Sequence, residues 1–144
     1  MHGLKGQELE QAIARTQQYF DITDLLERKT KGFSHGQQMK VALSRALIHG
    51  PRNLILDEPT NGLDVMSIRL LRELLHTLRN EGKCILFSSH VMQEVAALCD
   101  RVLILARGRL VAQGTPQDLC RLAGEDELEE AFVKIIGTDE GIAA

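Results

Sequence analysis

Apolar residues recur in two ways along this chain: at helical spacing in longer segments, and as short continuous runs between them. Leu9, Ile13 and Phe20 fall at near-helical spacing with Glu8, Glu10, Arg15 and Gln17 on other faces, predicting a first helix. Asp21-Ile-Thr-Asp24 interrupts it, Leu25-Leu26 starts a short second helical piece, and Lys29 to Phe33 reads as loop. Ser34-His35-Gly36-Gln37 is an S-x-x-Q capping box, and it opens a helix with apolar positions Met39, Leu43, Ala46 and Leu47. His49-Gly50-Pro51 ends that helix with a glycine and then a residue that cannot continue it.

From there the two patterns alternate. Leu54-Ile55-Leu56 predicts a short buried strand, and Val65 to Asn80 a long helix with Ile68, Leu71, Leu75 and Leu78 on one face. Gly82 stops the helix, Cys84-Ile85-Leu86-Phe87 predicts a second buried strand, and Met92 to Leu98 is helical again. Arg101–Ala106 and Leu110–Gln113 flank Arg107-Gly108 as a hairpin. Thr115-Pro116 caps and starts a further helix, and beyond Gly124 an amphipathic helix carries Leu128, Phe132 and Ile135. Buried strands alternating with amphipathic helices predict an α/β fold: a parallel sheet with helices on both faces and a helical piece at the front.

Composition removes whole classes of function. The chain has 144 residues, a length suited to one domain with a real core, and a formal charge of −3. Its apolar runs reach only about five residues, as at Val102–Ala106, against the roughly 18 of a membrane span. No apolar stretch near Met1 resembles a secretory signal, so a cytosolic location is expected. The acidic balance gives no basic stripe for a phosphate backbone, and aromatics at 3% give no stacking platform. No nucleic acid partner is expected. Cys84, Cys99 and Cys120 are odd in number and widely spaced, which points to reduced thiols acting as small hydrophobes.

The chemistry gathers at strand ends. In open α/β sheets ligands bind beyond the carboxyl ends of the strands. The first strand runs into Asp57-Glu58 and the second into Ser88-Ser89-His90. Adjacent carboxylates there suit a hard cation held by one and a water handled by the other. His90 is a candidate for a phosphate oxygen or that same water. Taken singly, each feature has an ordinary explanation: Asp57-Glu58-Pro59 can simply end a strand in a turn, and His90 can simply begin a helix.

The ordered set is more specific. Phe33-Ser34-His35-Gly36-Gln37, Leu54-Ile-Leu-Asp-Glu-Pro59-Thr60, Gly62-Leu63-Asp64 and Ser88-Ser89-His90 together resemble the ATPase subunits of ABC transporters. They would be that family's signature motif, Walker B strand, D-loop and H-loop. The resemblance runs from about Leu4 to about Gly137. Leu98-Cys-Asp-Arg-Val102, Gly108-Arg-Leu-Val111 and Gly114-Thr115 are similar to the branch that drives ABC-2-type exporters.

What the resemblance implies is then set residue by residue. Asp57 would help hold Mg²⁺ at the β- and γ-phosphates of ATP, Glu58 would polarise the attacking water, and His90 would contact the γ-phosphate. Asp64 would lie at a dimer seam. Ser34, Gly36 and Gln37 would offer a helix start to the γ-phosphate of ATP held by an ATPase dimer partner. Transmembrane permease subunits would be the other partners, placing the protein in the cytoplasm, peripherally on the cytoplasmic face of the membrane. On this reading residues 1–50 are the helical and signature part, 51–115 the Walker B to H-loop core with the hairpin, and 116–144 the C-terminal helices.

The chain departs from the family pattern twice. His35 stands where the signature usually has glycine. No G-x-x-x-x-G-K-[ST] phosphate loop occurs, the one Lys before Ser or Thr being Lys29-Thr30. The expectation is therefore a C-terminal part of a P-loop ATPase domain, inactive alone, whether as a truncated piece, half of a split gene or the product of a decayed one. The competing functions are an ABC ATPase acting on ribosomes or DNA and a catalytically silent interaction fragment.

Overall fold

The computed structural model describes residues 3–20 and 22–140, without the side chains of 138–140. Asp21 of the expected first interruption lies outside them. The elements in order are α1 (Gly6–Gln17), a 3₁₀ turn (Thr23–Leu25), α2 (His35–Leu47), β1 (Asn53–Leu56), α3 (Val65–Asn80), β2 (Cys84–Phe87), α4 (Met92–Leu98), β3 (Val102–Ala106), β4 (Arg109–Gly114), α5 (Pro116–Ala123) and α6 (Leu128–Glu140). The chain forms two units, Met1–Ser88 and Ser89–Ala144.

In the first unit β1 and β2 pair in parallel, Leu54 opposite Ile85 and Leu56 opposite Phe87. α3 is the crossover between them. It buries Leu71, Leu74, Leu75 and Leu78, with Leu71 and Leu78 fully enclosed. Leu74 joins the expected face because a packed helix buries a stripe wider than a single row. The expected burial of both strands is not seen. Asn53, Ile55, Cys84 and Leu86 share one sheet face, and that face is open, with Ile55 78% and Leu86 55% exposed. Alternation explains it: successive side chains point to opposite faces, and the described residues cover only the face of Leu54 and its partners. Cys84 is accordingly exposed rather than a core filler, while Cys99 and Cys120 are partly buried, and all three are free thiols.

α1 also differs from expectation in the face it buries. Ala12 and Thr16 point inward, Leu9 is exposed, and Phe20 is buried beyond the helix end. The small Ala12 lets α1 approach closely, and the Thr16 hydroxyl donates to the Ala12 carbonyl at 2.8 Å, which satisfies a polar group that would otherwise be buried alone. In the short piece that follows, Leu25 is buried and Leu26 is exposed.

The second unit packs Val95, Ile104, Ala112, Leu119 and Leu128 into one cluster, flanked by Phe132 and Ile135. β3 and β4 are antiparallel, joined by Arg107-Gly108 with φ of 49° and 73°. Positive φ at both turn residues matches the right-handed twist of the strands, and Gly108 adopts it without steric cost. Thr115 and Asp118 form a reciprocal capping box at α5 (3.1 and 3.2 Å), with Pro116 in its first turn. Gly124 closes that helix in the left-handed conformation.

Candidate functional site

Two groups of polar side chains stand out in the first unit, and both are placed by element ends. The first lies where the parallel strands stop. Ser88 follows β2, and its N–H donates to the Leu56 carbonyl at 3.0 Å, which carries the ladder one step past the strands. That register sets the Ser88 hydroxyl beside the residues following β1. It donates to Asp57 Oδ1 at 2.6 Å and accepts from the Glu58 N–H at 2.8 Å. Asp57 is exposed and Glu58 half-buried.

Glu58 has φ of 43°, in the left-handed region where a side chain costs on the order of 1–3 kcal/mol. The turn that follows holds it there: Asn61 N–H donates to the Glu58 carbonyl at 3.0 Å, and Leu63 N–H to the Thr60 carbonyl at 3.2 Å. Such strain at a strand end beside two carboxylates is the kind retained where a side chain must be aimed. Ser88, which the sequence marks only as part of the Ser88-Ser89-His90 motif and to which it gives no role of its own, is set into the site by strand register. Its signal was the position directly after Phe87, the register partner of Leu56.

The second group joins the starts of α2 and α3. The capping box of α2 forms as expected: Gln37 N–H donates to Ser34 Oγ at 3.2 Å, and Ser34 N–H to Gln37 Oε1 at 3.1 Å. His35 and Gly36 contribute N–H groups that have no intrahelical acceptor. Asp64 caps α3, accepting from the Ser67 N–H at 2.9 Å and from the Ser67 hydroxyl at 3.0 Å. These two bonds, the backbone one foremost, hold the Asp64 carboxyl below its ordinary range. The two starts touch. A side-chain carbon on Gly36 would collide with Ser67 Oγ, and one on Gly62 would sit 3.7 Å from His35 Nδ1. Ser34, Gly36, Gln37 and Asp64 are thus brought together. His90 belongs to the second unit, where Ser89 Oγ accepts from the Val91 N–H at 3.1 Å.

A chemistry can be read from this. Asp57 offers one exposed carboxylate oriented by a neutral hydroxyl, which suits Mg²⁺, a cation that keeps most of its waters and takes phosphate oxygens. Among the described residues no group of three or more His, Cys, Asp or Glu could hold a metal ion by itself. The α2 start carries N–H groups without intrahelical acceptors and a partial positive charge, a combination suited to an anion.

Two acids beyond the carboxyl end of a parallel strand, a strained turn after them and a capped helix start describe an α/β domain with polar groups gathered at element ends. Known proteins carry this to a family. A family model described as ABC transporter matches residues 4–61. The ABC transporter ATP-binding protein NatA of Bacillus subtilis is 39% identical over 133 residues, covering 92% of this chain and 54% of NatA. The Nod factor export ATP-binding protein I of Rhizobium johnstonii is 35% identical over 94% of this chain and 42% of its own length. A solved structure of the ATP-binding subunit of an ABC transporter superposes with a TM-score of 0.80 at 32% identity, covering 93% of this chain and 57% of that one. The chain belongs to the ABC transporter ATP-binding family, and it spans about half the length of the curated relatives it matches.

Proposed function

We propose that this chain is the part of an exporter's ATPase subunit that acts on the γ-phosphate and faces a second subunit, coupling ATP hydrolysis to transport through transmembrane permease partners. The observation that carries the reading is the Asp57–Ser88–Glu58 arrangement at the ends of two adjacent parallel strands. Asp57 would hold Mg²⁺, which neutralises charge at the β- and γ-phosphates when bound. Glu58, aimed by its strained backbone, would position and polarise the attacking water, and His90 would contact the γ-phosphate.

The 144 residues contain no phosphate loop, so the N–H cradle and lysine that hold the β- and γ-phosphates have to come from another segment or chain. Ser34, Gly36 and Gln37 would serve a nucleotide held by the partner subunit, with Asp64 at the seam between the two. Export is supported by the branch of relatives to which the chain is similar, the Nod factor export protein among them. Among the described residues no helix is long and apolar enough to cross a membrane, so the reading assigns membrane passage to the partners and a peripheral, cytoplasmic place to this chain.

The test is a graft in which residues 4–137 replace the matching region of NatA, supplying the missing phosphate loop. The reading expects Mg²⁺-dependent ATP hydrolysis that Glu58→Gln abolishes while ATP still binds, and that Asp57→Asn shifts to higher Mg²⁺. Normal turnover by the Glu58→Gln graft would move the water-polarising role elsewhere, His90 being next in line.

A further inference from the structure

Gly36 lies in the first turn of α2, and its backbone is helical, so no positive φ requires glycine there. The requirement comes from space. A Cβ at residue 36 would run into Ser67 Oγ, with Ser67 Cβ at 3.5 Å and Asp64 Oδ2 at 3.9 Å. Ser67 cannot turn aside without cost, because its hydroxyl donates to Asp64 Oδ2 at 3.0 Å while its N–H donates to Asp64 Oδ1 at 2.9 Å. Rotating the hydroxyl away would break one of the two bonds that cap α3. Gly36 and Ser67 are both buried, so the contact is not a loose surface approach. Beside it, a Cβ on Gly62, in the turn between Glu58 and Asp64, would come within ordinary contact distance of the His35 ring.

From these observations we infer that Gly36 is glycine in order to seat the Ser67 hydroxyl, and that Ser67 is a positioning residue. It fixes the start of α2 on the start of α3, so that the N–H groups of His35 and Gly36 keep one orientation relative to Asp64 and to the turn carrying Glu58. A nucleotide phosphate at the α2 start and the carboxylates at the strand ends are thereby referred to one rigid contact. The assignment of Ser67 to nucleotide positioning rests on the function proposed above. The contact itself does not.

The test is a double-mutant cycle read in two ways. In the 144-residue chain, Gly36→Ala lowers the melting temperature, and adding Ser67→Ala restores most of the loss, because the colliding oxygen is gone and only an ordinary carbon contact remains. In the NatA graft, Gly36→Ala cuts kcat roughly tenfold to a hundredfold, the scale expected of a misplaced catalytic geometry. Adding Ser67→Ala there returns kcat to the level of Ser67→Ala alone, with KM for ATP following. A double variant as inactive and as unstable as Gly36→Ala would overturn the inference, since glycine would then be needed for direct approach of the phosphate or for some other neighbour. A melting temperature unmoved by Gly36→Ala would overturn it as well. If the unmodified graft fails to hydrolyse ATP, the functional reading fails, and the melting cycle still decides the contact.

Discussion

The two units hold their strand pairs by opposite means. In the second unit β3 and β4 are neighbours in sequence, closed by Arg107-Gly108, and their inward residues Ile104 and Ala112 meet α4, α5 and α6 in one cluster. In the first unit β1 and β2 meet only after the chain has passed through α3, as a parallel pair must. That longer route is what brings Asp57 and Ser88, distant in sequence, to one edge. Antiparallel neighbours give local stability; parallel strands give a shared carboxyl end on which side chains from separate segments converge. Of the residues to which the sequence gives a role in the site, all but His90 lie in the first unit.

The largest loss is expected in the core. Leu71→Ala in α3 should destabilise the first unit by about 2–5 kcal/mol, because Leu71 is fully enclosed and leaves a cavity. Ile55→Ala on the same unit's open sheet face should stay within about 0.5 kcal/mol. Denaturant unfolding of both variants checks this, and equal losses would mean that the face of Ile55 is covered.

A smaller effect concerns the caps. Thr115→Ala should cost about 1 kcal/mol through α5, as Ser34→Ala should through α2. The Thr115 hydroxyl and N–H also hold the Asp118 carboxyl below its ordinary value of 3.8. Since its folded-state value is the lower one, the stability it lends is present above about pH 4 and lost as pH falls through the folded value. An acid titration followed by hydrogen exchange in α5 should show protection falling in that window, and in Thr115→Ala the loss should begin at higher pH.

The smallest effect is chemical and leaves the fold intact. Cys84, exposed on the open face, should alkylate first, and Cys99 last, because burial pushes its thiol up to about 11. Mass spectrometry of a timed iodoacetamide reaction reads the order directly.

Much of this was legible along the chain, and the reason is local. The S-x-x-Q box, the Thr115-Pro116 start and the Val65–Asn80 helix depend on neighbours within a turn, and each forms as the pattern predicts. What was not legible depends on partners far away. The face that α1 buries is decided by what packs on it, which selects Ala12 over Leu9. The half-exposed state of β1 and β2 depends on whether anything covers the second face. The role of Ser88, marked in the sequence only as part of a strand-end motif, and of Ser67, not marked at all, was hidden for the same reason: each is an ordinary serine until register or helix packing sets it against Asp57 or Gly36.

Under the proposed function the first unit presents two surfaces of a nucleotide site, strand-end acids for one nucleotide and the α2 start for another, and two subunits act as a pair. Sedimentation of the Glu58→Gln graft with and without ATP tests it most directly. The expected result is a dimer that forms only with ATP and is lost when Gly36→Asp sets a carboxylate against the phosphate. A graft that stays monomeric with saturating ATP, or that dimerises equally well with Gly36→Asp, would contradict it.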